Sequence, residues 1–374
     1  MSDSLANGDG DPTKAQIRLY ERWAQGGAAV SFIGEVQGDP RFPERPGNLV
    51  LAEDTSKAMI HELVKRGTID GAHLWPQLGH AGALSFLPIS QPQGPSALAI
   101  EGFQCASMRI EDILELPHMY ATAALHAKSA GFGGVLIHAG HGFLLSQFLS
   151  PLFNHRTDAY GGSIEARCHI VLDVIRTVRR AVGSAFPVGI RINSTDMLEG
   201  GLSEHDALEV VRLLDRTSVD LIDISGGTYF PGAKASSDSL TKGPYFLDFS
   251  RRVKEVTKVP VILTGGFKTR EQAVDAIVSG AADMVGLARA MTLNPQLAND
   301  WLTKKGGDPK FPIFDSNPEG GVTAWYTMRL TALAEDREDT FNLDLPMAMR
   351  MYEERDARRC IKWRAKFSYL HTLI

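Results

Sequence analysis

The sequence predicts an α/β protein whose short parallel strands alternate with helices and close into a (β/α)8 TIM-type barrel. Seven short apolar runs are followed by polar or glycine-bearing turns, and amphipathic stretches lie between them. So many strand–helix units in one chain of 374 residues favour a closed barrel over an open sheet. The predicted strands are residues 28–36, 72–78, 134–137, 187–192, 220–225, 259–263 and 283–287.

Capping residues mark the helices between these strands. Thr13 has the side chain of an N-cap for a helix over 13–25, and Gly26 and Gly27 supply its stop. Ser163 precedes a second well-marked helix. The long stretch 86–107 is rich in Pro, Gln and Ser and is predicted to be an irregular lid or substrate loop. The other predicted helices are residues 54–66, 117–131, 165–182, 203–217, 246–257, 270–279, 322–335 and 346–370.

The predicted strands number seven, whereas a barrel of this class has eight. The chain begins with polar residues 1–12 and then a helix, so the first strand is expected to be absent from it. A missing strand leaves the N–H and C=O groups of its neighbours unpaired, at about 1–3 kcal/mol for each buried group. Either the true start lies upstream, or another segment fills the gap in a barrel of residues 1–300. The helical C-terminal extension, residues 301–374, is predicted to cover that opening or to make a subunit contact.

Composition excludes several classes of protein. A formal net charge of -5 without a long basic block argues against a nucleic-acid partner. Three widely spaced cysteines are too few for a disulfide framework or a thiolate metal site. The N-terminus has neither a signal-peptide nor a transit-peptide pattern, and no apolar run approaches the ~20 residues that cross a bilayer. A cytoplasmic protein without membrane contact is expected.

Two histidines follow the third predicted strand directly. In a barrel, side chains at the C-terminal ends of strands face one pocket, which places His138 and His141 there together. The pair is suited to donate hydrogen bonds to one carbonyl or nitro oxygen and so to polarise an adjacent C=C bond. A metal site is the rival interpretation, but no carboxylate or cysteine nearby in the sequence completes it. Satisfied core histidines are the other alternative.

The residues around this pair resemble the old yellow enzyme family of flavin oxidoreductases. The matching run is His-Ala-Gly-His-Gly-Phe-Leu-Leu-Ser-Gln-Phe-Leu-Ser-Pro from His138, followed by Asn-His-Arg-Thr-Asp-Ala-Tyr-Gly-Gly-Ser from Asn154. The resemblance implies a barrel that binds FMN at its C-terminal face and is reduced by NAD(P)H. It also implies a substrate held by His138 and His141. Phe143 stands where the family has the tyrosine that usually donates a proton.

The resemblance also assigns residues to the flavin ring. Gln77, at the end of the second strand, would read the pyrimidine edge, because its amide offers one acceptor and one donor group. Arg191 would stabilise the negative charge of the reduced ring, and an ion pair with Asp223 is the alternative for this buried charge. Ser2 would take the place of a threonine or cysteine near O4 and N5, because Met1 and Ser2 match the end of the family's first strand.

Two later turns resemble the family's paired phosphate-binding turns. Gly265 and Gly266 follow one strand, while Ala288 and Arg289 follow the next. Glycines let backbone N–H groups approach an anion, and the arginine supplies charge and a forked set of donors. Ala288 replaces a more usual glycine.

The leading hypothesis is an FMN-dependent oxidoreductase that passes hydride from NAD(P)H to an activated C=C bond of a small substrate with a conjugated carbonyl. Because Phe143 lacks an acidic hydrogen, the proton would come from water, from a residue of the long loop or from Tyr229. An isomerase or cyclase on the same scaffold, acting without net reduction and with or without flavin, is the alternative. A non-catalytic binding remnant is the third hypothesis, and a homo-oligomer is left open.

Overall fold

Parallel strands form the centre of the molecule. A computed structural model describes residues 2–100, 103–233, 243–315 and 318–368. The seven predicted strands all form, and four further strands occur within the described residues. The strands are β1 Val30–Gln37, β2 Leu49–Val50, β3 His73–Gly79, β4 Gln93–Gly94, β5 Leu98–Ile100, β6 Phe103–Ser107, β7 Val135–Ala139, β8 Val188–Asn193, β9 Leu221–Ser225, β10 Val261–Thr264 and β11 Met284–Gly286.

Helices pack outside these strands. Thr13 caps the first helix by accepting a hydrogen bond from the Gln16 backbone, and Ser163 caps the helix after it as predicted, by accepting from Ala166. The helices are α1 Lys14–Gln25, α2 Lys57–Gly67, α3 Ile110–Ala130, α4 Leu144–Leu149, α5 Ile164–Val182, α6 Glu204–Leu214, α7 Leu247–Val256, α8 Arg270–Val278, α9 Arg289–Leu293, α10 Leu297–Thr303, α11 Gly321–Ala334 and α12 Leu345–Phe367.

The large sheet has eight parallel strands in the order β11-β10-β9-β8-β7-β3-β1-β2. Strands β7, β8 and β9 are buried along their whole length, as expected where helices cover one face and the barrel interior the other. The sheet curls with helices around it, which confirms the predicted (β/α)8 barrel. The eighth strand is the two-residue β2, which pairs with the end of β1 at Val36 and Gln37.

The open side of β1 is the seam of this barrel. No ladder joins β11 to β1 among the described residues. Residues 2–6 lie beside β1 instead, since the Asp3 N–H donates to the Gly34 carbonyl at 3.1 Å. The Ala6 N–H then donates to Gly47, just before β2, at 3.0 Å. Residues 2–6 and β2 therefore pair with part of the edge of β1.

Helices α11 and α12 support the seam from outside. Leu5 packs with Leu330 and Leu333 of α11. Arg359 of α12 donates from Nη1 to the Ser4 carbonyl at 2.7 Å, and Arg355 donates from Nη2 to the Ser4 hydroxyl at 3.2 Å. Helices α11 and α12 therefore pack against residues 2–6, which lie beside β1.

Two sequence predictions need correction. Helix α3 begins at Ile110 rather than at Pro117, because the acidic Glu111 and Asp112 favour its first turn and the helix continues through the proline. The stretch 86–107 is more regular than predicted, with β4, β6 and β5 forming a small sheet. The predicted end of the last helix at Leu370 lies outside the described residues. Within those residues, no helix has the length and apolar character that a membrane span requires.

Candidate active site

Five strands place a polar side chain at or near their C-terminal ends on the same side of the sheet. All five residues are at most 8% exposed, although each carries an ionisable or amide group. Buried polar groups of this kind need partners, because an unpaired one costs free energy. The five are Glu35 of β1, Gln77 of β3, His138 of β7, Arg191 of β8 and Asp223 of β9.

One branch of the resulting hydrogen-bond network runs from Glu35 towards β10. The Gln77 amide donates to Glu35 Oε1 at 2.6 Å and accepts from Arg191 Nη1. Arg191 is also paired with Asp223, with 2.9 Å from Nε to Oδ2. Thr264 donates from its hydroxyl to Asp223 Oδ1 at 2.7 Å. Gln77 and Arg191 therefore lie together as predicted, and the alternative ion pair with Asp223 is present as well.

The second branch runs from Glu35 through both histidines. Glu35 Oε1 contacts His138 Nδ1. The other ring nitrogen of His138, Nε2, lies 2.8 Å from His141 Nδ1. His141 Nε2 lies 2.8 Å from the Ser225 hydroxyl at the end of β9. Each ring nitrogen thus has a partner, and the histidines are linked in series rather than side by side.

An unusual backbone conformation holds His141 in this position. Its φ is 59°, and its N–H donates to the Asn193 side chain at 2.8 Å. Gly142 follows with a φ of 80°, and a Cβ there would lie 1.9 Å from the Thr228 hydroxyl. Only glycine accommodates both the left-handed backbone and this close approach. The glycine after the histidine therefore allows the turn that brings His141 to Ser225.

Burial changes the protonation of this branch. It lowers the pKa values of His138 and His141 well below their ordinary range, so both rings are neutral near pH 7. Burial raises the pKa of Glu35 to about 8, although the hydrogen bond from Gln77 opposes the shift. Glu35 Oε2 has no hydrogen-bond partner among the described residues. A protonated carboxyl therefore stands next to two neutral imidazoles.

Sequence reasoning missed Glu35. The residue lies in the first predicted strand, where a carboxyl stands in an otherwise apolar run. The same signal, a charge inside a buried strand, had already identified Arg191 as a site residue. Ser2, assigned to the ring by resemblance, lies next to Glu35 and accepts from its backbone N–H at 3.3 Å.

Aromatic side chains surround the half-buried His141. The Phe143 ring centroid lies 4.9 Å from that of His138. Tyr229 lies 6.1 Å from His141 and 5.8 Å from Phe143, measured between ring centroids. Tyr229 is 56% exposed, whereas Phe143 is 3% exposed. Most of the loop from Tyr229 to Tyr245 lies outside the described residues.

The two predicted phosphate turns lie at the ends of β10 and β11. Gly265 and Gly266 have φ values of +121° and +83°, which glycine adopts readily. Ala288 immediately precedes α9, and Arg289 begins it. The Arg289 guanidinium lies 5.7 Å from the centre of the Tyr326 ring and has no carboxylate partner among the described residues. These residues form an electropositive end to the site.

A metal centre is the remaining rival for the two histidines. Within the described part of the chain, no three or more His, Cys, Asp and Glu side chains are grouped so as to hold a metal ion. His138 and His141 instead use their nitrogens on Glu35, on each other and on Ser225.

Comparison with known proteins assigns the chain to a family. Residues 10–304 match the NADH:flavin oxidoreductase / NADH oxidase family. The NADH-dependent flavin oxidoreductase iliE of Neonectria sp. (strain DH2) is 32% identical over 367 residues, which span 88% of this chain and 47% of that protein. The cinnamate reductase of Clostridium sporogenes is 28% identical over 331 residues, which span 79% of this chain and 48% of that protein. The chain thus spans about half the length of these two relatives.

Solved structures agree on the fold. An old yellow enzyme homologue from Zymomonas mobilis has a TM-score of 0.72 and 23% sequence identity, and the match covers 87% of this chain and 92% of that one. At this identity the likeness establishes the architecture alone.

The residues present fit a flavin mononucleotide. Arg289 without an ion-pair partner, next to glycine turns, suits a phosphate. An amide and a guanidinium, Gln77 and Arg191, suit the polar edge of the ring. Gln77, Arg191 and Arg289 would hold the cofactor at one edge of the barrel. The chain therefore belongs to the NADH:flavin oxidoreductase / NADH oxidase family, with FMN as cofactor.

Proposed function

We propose that this protein is an ene reductase, which reduces a C=C bond conjugated to a carbonyl group in a small molecule. The observation that carries the proposal is the half-buried His141, whose ring is held by a buried histidine at the C-terminal ends of the barrel strands. FMN, reduced by NAD(P)H, supplies a hydride when bound. The residues of the chain bind and orient the alkene and manage the proton.

His141 is the donor that a substrate meets first. His138 uses Nδ1 on Glu35 and Nε2 on His141, so it has no ring nitrogen left for a ligand. His141 Nε2 faces only the Ser225 hydroxyl, which a substrate carbonyl can replace as acceptor. A hydrogen bond to that carbonyl draws electrons from the alkene and makes its β-carbon electrophilic. The two histidines then act in series on one oxygen.

The cinnamate reductase similarity supports the choice of substrate class. Its name describes reduction of a compound in which a C=C bond is conjugated to a carboxyl group. Tyr229 next to His141 and Phe143 next to His138 favour a substrate with apolar or aromatic parts.

An absorbance spectrum tests the cofactor first, and product analysis tests the reaction. We expect a yellow protein whose flavin bands bleach anaerobically with NADH or NADPH and recover when 2-cyclohexenone is added, with cyclohexanone formed. His141→Ala is the matched variant. It should bleach at the same rate and recover its colour at least ~10²-fold more slowly. A protein that takes up no FMN, or a reduced protein that no conjugated enone reoxidises, would contradict the proposal.

An isomerase is the second candidate, favoured by the buried Phe143, which cannot donate a proton. Such an enzyme would shift a double bond without net consumption of NAD(P)H. Counting NAD(P)H against product decides between the two. One NAD(P)H consumed for each saturated product excludes the isomerase.

A further inference from the structure

We propose that Glu35 stores the proton for this reaction and that His138 and His141 carry it to the carbonyl oxygen of the substrate. The inference rests on the proposed function and deepens it, because it names an acid that replaces the hydroxyl missing at Phe143. Glu35 acts through the two histidines and does not itself touch the substrate.

The geometry is an unbroken line of hydrogen bonds from the interior to the half-buried end. Glu35 Oε1 contacts His138 Nδ1, and His138 Nε2 lies 2.8 Å from His141 Nδ1. His141 Nε2 then lies 2.8 Å from Ser225 Oγ. With Glu35 protonated, the following arrangement satisfies every link. Glu35 donates to His138, His138 donates from Nε2 to His141, and His141 donates from Nε2 to the acceptor at its open end.

The surroundings of Glu35 favour its protonated form. Oε2 is buried and has no donor among the described residues, and this costs much less on a neutral carboxyl than on a carboxylate. Arg191 offers little compensating charge, since Asp223 is paired with its guanidinium. The groups that face Glu35 from neighbouring elements are Gln77 of β3, Tyr120 of α3, His138 of β7, Arg191 of β8, Tyr229, the Glu44 carboxyl and Ser2.

The proton transfer conserves atoms and charge, and it leaves both histidines neutral. Bound reduced FMN would supply a hydride to the β-carbon, and the alkene electron pair would then move to give an enolate. The enolate oxygen takes the proton from His141 Nε2, while His141 Nδ1 takes one from His138 Nε2. His138 Nδ1 takes the proton of Glu35, which becomes a carboxylate. The product leaves as an enol, and water then moves its proton to the α-carbon.

The same hydrogen-bonded residues return a proton to Glu35, starting from His141 Nε2. After the product leaves, water delivers a proton to His141 Nε2, and the reverse shifts return one to Glu35. Neutral histidines suit this role because each can exchange one protonated nitrogen for the other. Their pKa values, lowered well below the ordinary range by burial, keep them neutral throughout.

Tyr229 is the competing donor. Its ring lies 6.1 Å from His141 between centroids, and it is more than half exposed. A phenol there would deliver a proton directly to the α-carbon from one face. The relay protonates oxygen instead, so the α-carbon receives its hydrogen in solution from both faces. This stereochemical difference separates the two donors.

The first experiment needs no substrate. Infrared spectra of the FMN-loaded protein, with glutamate 13C-labelled, record protonated carboxyl groups between pH 6 and pH 10. We expect a carboxyl band that disappears as the pH passes about 8, the pKa of Glu35, and that is missing in Glu35→Gln. Glu44→Gln is the matched control, because burial raises its pKa to about 7, and it should leave the Glu35 band in place. A Glu35 that is already ionised at pH 6 would overturn the proposal.

The second experiment separates proton supply from hydride supply. Glu35→Gln retains an N–H that can donate to His138, so it tests the proton rather than the contact. We expect its flavin to bleach with NADH within threefold of the wild-type rate, and reoxidation by 2-methylcyclohexenone to slow by at least ~10²-fold. The wild-type reoxidation rate should fall as the pH rises through about 8, and the variant should lose that step.

Deuterium labelling completes the test. If the relay operates, the product formed in D2O should carry deuterium on either face of its α-carbon. The same distribution of deuterium is expected with Tyr229→Phe. Single-face label that is lost in Tyr229→Phe would assign the proton to Tyr229 and overturn the relay. A different outcome is an infrared band that titrates near pH 8 and vanishes in Glu35→Gln, while no enone reoxidises the flavin. That result would reject the proposed substrate class and would still support a protonated Glu35. An absent band with normal enone reduction rejects the relay alone.

Discussion

Two carboxyl groups in this molecule are equally buried but have different hydrogen-bond partners. Asp3 at the seam and Glu35 at the strand ends are each 3% exposed. Asp3 accepts hydrogen bonds from the Tyr20 hydroxyl at 2.6 Å, the Gln16 amide at 3.1 Å and the Leu5 N–H at 2.9 Å. Glu35 has one amide donor at 2.6 Å and a histidine.

The partners decide what each carboxyl does. None of the donors around Asp3 releases a proton near neutral pH, since even the pKa of Tyr20 is raised well above its ordinary value by burial. Asp3 therefore holds residues 2–6 in place. Glu35 faces an imidazole with a second imidazole behind it, which gives its proton a path out. Burial makes a carboxyl unusual, and only titratable neighbours connect it to chemistry.

The largest expected effect comes from breaking the charge pair beside Glu35. In Arg191→Met, Asp223 keeps the Thr264 hydroxyl and loses its guanidinium, so a fully buried carboxylate remains without a counter-charge. We expect a loss of about 3–5 kcal/mol in the free energy of unfolding, measured by urea titration. The double variant Arg191→Met/Asp223→Asn should recover most of it. A single-variant loss below about 1 kcal/mol would mean that the pair is not buried as described.

A smaller effect should appear as pH dependence in Glu35→Gln. Glu35 titrates near 4.3 when unfolded and at about 8 when folded, so the folded state binds the extra proton between these values. Its contribution to stability is complete below pH 4 and is lost as the pH rises through 8. In urea titrations, the free energy of unfolding of wild type should fall relative to that of the variant by up to about 1.4 kcal/mol for each pH unit between these two values. Parallel wild-type and variant curves from pH 5 to 9 would contradict the raised pKa.

The matched change at the seam is Tyr20→Phe. It removes one hydrogen bond to Asp3 and leaves two donors in place. We expect a loss of about 1 kcal/mol at pH 7, with NADH-driven bleaching of the flavin unchanged. A large kinetic effect from this variant would show that the seam and the strand ends do not act separately.

The smallest effect is expected from Ser225→Ala. His141 loses its acceptor at the half-buried end, where water replaces the hydroxyl. The free energy of unfolding should change by less than about 0.5 kcal/mol, while two-dimensional 15N spectra should record a shift at His141 Nε2. An unchanged Nε2 resonance would mean that Ser225 is not its partner.

Much of the fold follows from local patterns. The apolar runs predicted seven strands of the large sheet, and Thr13 and Ser163 predicted the starts of two helices. The filling of the seam does not follow in this way, because β2 has only two residues and no pattern of its own. Residues 2–6 are polar and irregular, and only the distant β1, α11 and α12 give them a fixed position.

Site residues could be predicted where a polar or charged side chain stands out at the end of an apolar strand. His138, His141, Gln77 and Arg191 stood out at strand ends, and the structure brings them into one network. The role of Glu35 depends on contacts with strands that lie more than 40 residues away in the chain. A charge inside a predicted buried strand indicates partners on other strands, which the local sequence does not show.

The contacts that secure the seam also affect the order of folding. Ser4 is held by Arg355 and Arg359, which follow it by 351 and 355 residues. Contacts over such separations are slow to form, because nearly the whole chain must be arranged first. Residues 2–6 are therefore fixed beside β1 only after α12 has formed. Helix α12 thus stabilises residues 2–6 beside β1 although it lies about 350 residues away in the chain.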